Sequence, residues 1–185
     1  MDYDRTDGHN PKLLGLIQPN IGLDSDVRRP VVVILNNRLA DESILFQKTR
    51  SAHWNTSGSG FFELYILFET QYKQLDEIAD KIAERTRMLG GMAISSFKEF
   101  LSHSRLEEDT PTVPDVLHLL ADHESIIRLL REDISKISEE YEDKGTVEMM
   151  VGVMRLHEKM AWMLRSYIEN EPLNGESQKR KPKNE

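Results

Sequence analysis

Apolar positions recur at the spacing of a helix through most of the chain, and no stretch alternates apolar and polar residues as a strand would. The pattern predicts four long helices, at about 27–55, 61–89, 114–142 and 147–170. Glycines mark the predicted breaks between them, at Gly58, Gly90 and Gly145. Ser96 and Glu99 have the spacing of a capping box, which predicts a short helix before the third long one. We therefore expect an all-α four-helix bundle with a short extra helix between the second and third long helices.

The two ends of the chain differ in composition from this helical centre. Residues 1–26 are rich in Asp, Gly, Asn and Pro, and we expect an extended arm there. The bundle is expected over 27–171, followed by a flexible basic tail at 172–185. The tail contains four basic residues that are candidates for contact with DNA: Lys179, Arg180, Lys181 and Lys183.

Composition narrows the class of protein. A chain of 185 residues can form one domain with a substantial core, and 30% charged residues with a net charge of -8 argue against nucleic-acid binding over the whole surface. The absence of cysteine excludes disulfides, thiolate metal sites and a thiol nucleophile. No apolar run reaches the roughly 20 residues that span a bilayer, and the N-terminus lacks a signal-peptide pattern. We expect a cytoplasmic protein without a membrane partner.

The second predicted helix has two stripes side by side. The apolar stripe faces the core and consists of Phe61, Leu64, Phe68, Tyr72, Leu75, Ala79 and Ile82. The neighbouring stripe consists of Tyr65, Glu69, Asp76, Asp80 and Glu84. Such a face is most often simply solvated. Here, however, the acids form two groups, one at Glu69 and one at Asp80 with Glu84.

These two groups cannot share one ion within a single chain. Eleven residues separate Glu69 from Asp80, which is about 16 Å along a helix. A second copy of the helix, antiparallel across a two-fold axis near residues 74–75, would bring Glu69 near Asp80 of the other copy. His53, near the end of the first helix, is expected at the level of Tyr65. An imidazole with carboxylates and open positions suits Fe(II).

A metal site inside the bundle is not expected from the sequence. Di-iron sites within four-helix bundles use Glu-x-x-His motifs, and this sequence contains none. His157 lies on the apolar seam of the fourth helix and is expected to be a hydrogen-bonded core histidine.

Several segments, spread over residues 28–171, resemble the Dps family, the ferritin-like mini-ferritins of starved or oxidatively stressed bacteria. They include His53-Trp54-Asn55, Phe68-Glu69-Thr70-Gln71-Tyr72, Asp76-Glu77-Ile78-Ala79-Asp80, Ala83-Glu84-Arg85 and, near the C-terminus, His157-Glu158-Lys159 with Ala161-Trp162-Met163-Leu164-Arg165. The resemblance implies a ferritin-like bundle that assembles from two-fold dimers into a hollow dodecamer, in the bacterial cytoplasm or nucleoid.

The resemblance also implies a chemistry and a set of residues. The protein would be a ferroxidase that oxidises Fe(II), preferably with hydrogen peroxide, and stores the iron as ferric mineral. One chain would supply His53, the position of Tyr65, and Glu69, and the dimer partner would supply Asp80 and Glu84. Trp54 would trap stray radical equivalents beside the site. Two further acids are candidates for lining three-fold pores: Asp143 and Glu148.

One departure from the family pattern leaves an alternative open. The position of Tyr65 is usually a second histidine ligand, and a phenol is a poor ligand for Fe(II) unless the metal promotes loss of its proton. Tyr65 can therefore ligate metal, hydrogen-bond a metal-bound water, or only pack. If the change disables the site, the protein would be a non-enzymatic shell that coats DNA or scaffolds an assembly.

Overall fold

The computed structural model describes residues 18–108 and 112–170. In these ranges the chain forms five α-helices and no strand: α1 (Ser25–Asn55), α2 (Phe61–Met88), α3 (Phe97–His103), α4 (Val116–Lys136), which continues into a π-helical turn (Ile137–Tyr141), and α5 (Lys144–Asn170). The predicted bundle with one short extra helix is confirmed. The candidate DNA contacts in the tail, and most of the predicted N-terminal arm, lie outside the described residues. No helix in the described ranges is both long enough and apolar enough to cross a membrane.

The four long helices share one apolar core. α1 packs mainly against α2, and α4 packs mainly against α5. Each long helix contributes a fully buried leucine to this core: Leu35, Leu75, Leu119 and Leu164. Phe61 was expected on the core stripe of α2, but this prediction is wrong because the helix begins there and the ring is half exposed.

Capping side chains fix the starts of α3 and α5. The capping box predicted at α3 is confirmed, because the Ser96 hydroxyl accepts from the Glu99 N–H and the Glu99 carboxylate accepts from the Ser96 N–H. The predicted break at Gly145 is wrong. α5 already begins at Lys144, because the Asp143 carboxylate caps it by accepting from the Thr146 N–H at 3.1 Å.

A charged network ties the segment after α3 to the bundle. Arg105 donates to Asp41 in α1 and to Asp133 in α4. Arg38 also pairs with Asp133, at 2.7 Å. Burial raises the pKa of Asp41, and the charges of Arg38 and Arg105 oppose that rise. The network fixes α3 against α1, next to the surface that carries the candidate site.

Candidate metal centre

His53 lies in the last turn of α1 and is only 6% exposed. Its Nδ1 lies 3.0 Å from the backbone carbonyl oxygen of Tyr65 in α2. Because a carbonyl only accepts, Nδ1 must carry the proton and donate it. The other nitrogen, Nε2, then has a free lone pair. This is how metal-binding histidines are commonly oriented.

Tyr65 supports the His53 ring from a second direction. The two ring centroids are 4.1 Å apart and the planes are tilted by 35°. Tyr72 meets the same imidazole edge-on, with centroids 5.3 Å apart. The start of α2 is held by Gly60, whose φ of +78° and contact with Tyr167 leave no room for a side chain. The sequence placed His53 and Tyr65 at one level, and the structure brings them together.

Glu69 lies one turn beyond Tyr65 on the same helix, and its carboxylate is paired with Lys73. The Lys73 Nζ is 2.6 Å from Glu69 Oε1. The hydrogen bond from Lys73 lowers the pKa of Glu69, and the nearby His53 acts in the same direction. Lys73 was missed from the sequence, although a lysine four residues after a glutamate in a helix is a recognisable pairing signal.

Asp80 and Glu84 lie farther along α2 and are exposed. Asp80 and Asp76 line a groove of about 790 Å³ between α1, α2 and α3. The aromatic and apolar walls of this groove include Phe46, Phe97 and Leu101. Within the described part of one chain, no three His, Asp or Glu side chains are arranged to hold a metal ion. A single chain therefore does not bring Asp80 and Glu84 to His53.

Trp54 follows His53 and is exposed. The Arg50 guanidinium carbon lies 4.6 Å from the Trp54 ring centroid and 5.7 Å from that of Phe46. These cation–π contacts join the exposed indole to Arg50, which lines the groove.

The two pore candidates have different surroundings. Asp143 is 3% exposed and accepts from Arg85 at 2.8 and 3.1 Å, so its carboxylate joins the end of α2 to the start of α5. Glu148 is exposed one turn into α5. Of these two candidates, Glu148 is the one whose carboxylate is exposed to solvent.

A second grouping of histidine and carboxylate lies inside the bundle and consists of Glu42, His123 and His157, all fully buried. His157 Nε2 lies 3.1 and 3.2 Å from the two Glu42 oxygens, and its Nδ1 lies 2.9 Å from His123 Nδ1. Burial lowers the pKa of His123 well below the usual 6.5, and the charge of His157 adds to the effect. The sequence predicted a hydrogen-bonded core position for His157 but did not identify His123 or Glu42 as its partners.

Comparison with known proteins identifies one matching family model and several relatives in sequence. The family model described as a ferritin-like domain matches residues 33–173. An uncharacterized low temperature-induced protein of Nostoc sp. is 42% identical over 83% of this chain and 88% of its own length. A DNA protection during starvation protein of Porphyromonas gingivalis is 33% identical over 79% of this chain and 93% of its own length.

Solved structures agree with these relatives. DpsC from Streptomyces coelicolor superposes with a TM-score of 0.80 at 27% identity, covering 86% of this chain and 95% of that one. The Dps protein of Vibrio cholerae, described as a member of a broad superfamily of ferritin-like diiron-carboxylate proteins, gives 0.75 at 29% identity, covering 83% and 98%. With the bundle, the short α3 and these similarities, the chain belongs to the ferritin-like family and, within it, to the Dps proteins.

Proposed function

We propose that this protein is a Dps-type ferroxidase and iron store, which binds Fe(II) between two subunits, oxidises it preferably with hydrogen peroxide, and keeps the ferric product in a hollow dodecamer. The observation that carries the proposal is the His53 imidazole. It is buried, its Nδ1 proton is fixed on the Tyr65 carbonyl, which leaves Nε2 to bind a metal, and the ring is close enough to Glu69 to lower the pKa of that carboxylate. The iron is the substrate and the cargo.

Exposed apolar side chains beside the acidic stripe support a second copy as the partner. Phe62 and Ile66 lie on the same side of α2 as Glu69, and Phe97 and Leu101 project from α3. Large exposed apolar side chains rimmed by charge are typical of interaction surfaces. A copy related by a two-fold axis near residues 74–75 would cover them. It would also set its own Asp80 and Glu84 opposite His53 and Glu69.

The chemistry follows from charge and electron balance. Two Fe(II) ions give one electron each, and hydrogen peroxide takes both electrons with two protons to yield two water molecules. The carboxylates of Glu69, Asp80 and Glu84 attract a triply charged ion more strongly than a doubly charged one. They therefore favour the oxidised state. His53 holds the ion through Nε2, and Tyr65 fixes the direction of that lone pair through its backbone carbonyl and ring.

Anaerobic Fe(II) binding followed by peroxide addition tests this function. His53→Ala should lose rapid oxidation, whereas the matched variant Glu63→Ala, an exposed acid in the first turn of α2, should behave as wild type. Equal binding and oxidation by wild type and His53→Ala would contradict the proposal.

We propose that iron enters the shell through an acidic pore. We propose Glu148 as the pore acid, since Asp143 is turned to Arg85. An acidic ring formed by the shell would concentrate Fe(II) at its mouth. Glu148→Gln should slow iron uptake into the shell without changing binding at the His53 site, and unchanged uptake would exclude this route.

DNA coating remains the second candidate function, because several relatives are named for DNA protection. Its proposed agent is the basic run of Lys179, Arg180, Lys181 and Lys183, repeated around a shell. A gel shift with and without residues 172–185 tests it. Binding that survives the truncation would contradict the tail as the agent.

A further inference from the structure

Lys73 occupies a position that the proposed site needs for iron. Its ammonium nitrogen lies 2.6 Å from Glu69 Oε1, the carboxylate expected to bind the metal. The Lys73 side chain is 62% exposed and that of Glu69 is 32% exposed. In the single chain the lysine therefore reaches the carboxylate from the surface of α2, and it can leave again without disturbing the core.

We propose that Lys73 is a tethered cation which occupies the Glu69 side of the metal site and must be displaced before a metal ion binds. The inference rests on the proposed function and names a residue that sets the affinity of that same site. An ammonium group and a metal ion compete for the same carboxylate lone pairs, and two cations at one carboxylate repel each other.

The Lys73–Glu69 pair is strong enough to lower metal affinity measurably and weak enough for a metal ion to displace the lysine. Exposed pairs four residues apart on a helix are modest, so the competition amounts to a reduction in metal affinity of about 2- to 10-fold, including repulsion in the bound state. The penalty is the same for every divalent ion. Lys73 thus lowers the affinity of the site for divalent ions without selecting between them, and selection is left to the His53 imidazole.

Zinc binding to the intact assembly, measured by calorimetry, tests the inference without any oxidation step. Zn²⁺ suits imidazole and carboxylate ligands and carries no redox chemistry. The relevant signal is the part of Zn²⁺ binding that His53→Ala removes. Lys73→Gln should bind Zn²⁺ about 2- to 10-fold more tightly than wild type at low salt, and the gain should shrink at high salt because exposed charges are screened.

Two control variants separate charge from position. Lys73→Arg keeps a cation near Glu69 and should resemble wild type. Lys159→Gln removes an exposed lysine from α5, which carries none of the proposed ligands, and should also resemble wild type. Affinity in Lys73→Gln that is unchanged or weaker, while His53→Ala still loses Zn²⁺, overturns the role of Lys73 and leaves the ferroxidase proposal standing. Undiminished Zn²⁺ binding in His53→Ala overturns both.

Discussion

Among the described residues, one grouping of histidine and carboxylate inside the bundle and another at its rim have surroundings that give them different chemistry. Inside the bundle, His157 uses both nitrogens, one toward Glu42 and one toward His123, and all three groups are fully buried. At the rim between α1 and α2, in the part of the chain that the structure describes, His53 uses one nitrogen and Glu69 pairs with an exposed lysine. The free lone pair distinguishes a binding site from a packing element, even when the residue types are the same.

This contrast predicts that removing the carboxylate lowers the stability of the fold at Glu42 but weakens metal binding at Glu69. Glu42→Ala leaves the His157 Nε2–H buried without its acceptor, and we expect a loss of about 1–3 kcal/mol in the free energy of unfolding. Glu69→Ala should leave the unfolding free energy nearly unchanged and weaken metal binding. Denaturant unfolding at a fixed protein concentration, beside Zn²⁺ calorimetry, measures both. Equal destabilisation by the two variants would contradict the division between the regions.

The interior grouping should also make stability depend on pH. The folded-state pKa of His123 is well below its unfolded value near 6.5. As pH falls below about 6.5, the unfolded chain therefore takes up a proton that the folded chain does not. The unfolding free energy should fall by up to about 1.4 kcal/mol per pH unit from this group.

Comparing wild type with His123→Gln isolates that contribution, because all other titrating groups remain in both. The difference in unfolding free energy between pH 7.5 and pH 5.5 should be smaller in the variant. Parallel pH profiles for the two proteins would exclude His123 as the source.

At the rim, substitutions at Tyr65 should distinguish metal ligation by its phenol oxygen from support of the His53 ring. Tyr65→Phe keeps the ring and the backbone carbonyl that orient His53, so metal binding should stay close to that of wild type. Tyr65→His offers a second imidazole and should tighten binding by about 10-fold. Loss of Zn²⁺ binding in Tyr65→Phe would instead show that the phenol oxygen is a ligand.

The smallest expected effect concerns the wall of the groove. Ser96→Ala removes the cap of α3, which should lower the unfolding free energy by about 1 kcal/mol. Because α3 carries Phe97 and Leu101 into the proposed dimer surface, dimer formation measured by analytical ultracentrifugation should weaken slightly. A variant with unchanged stability and assembly would show that neighbouring contacts alone hold α3.

Local patterns predicted the features that depend on sequence neighbours. Helical periodicity predicted the four long helices, and the spacing of Ser96 and Glu99 predicted α3. The proximity of His53 and Tyr65 followed from the antiparallel arrangement of two helices joined by a short turn. These features require only contacts between residues close in sequence or directly joined by a short turn.

The features that the sequence did not predict depend on distant contacts. His123 meets His157 because α4 and α5 turn particular faces toward each other, which periodicity alone does not specify. From the sequence, Asp143 is expected to be a surface acid, whereas in the structure Arg85 from α2 donates a hydrogen bond to it. The start of α5 was misplaced because the capping carboxylate of Asp143 outweighed the helix-breaking tendency of Gly145.

Complementation between two inactive variants tests the proposed inter-subunit site most directly. His53→Ala and Asp80→Ala should each lack rapid Fe(II) oxidation by peroxide. In a mixed dimer, one site carries both changes and the other carries neither, so randomly co-assembled subunits should regain roughly a quarter of the wild-type sites. Recovered oxidation and metal binding at that level is the result we predict. Co-assembled protein as inactive as either variant alone, with mixed dimers confirmed by native mass spectrometry, would contradict a site shared between subunits.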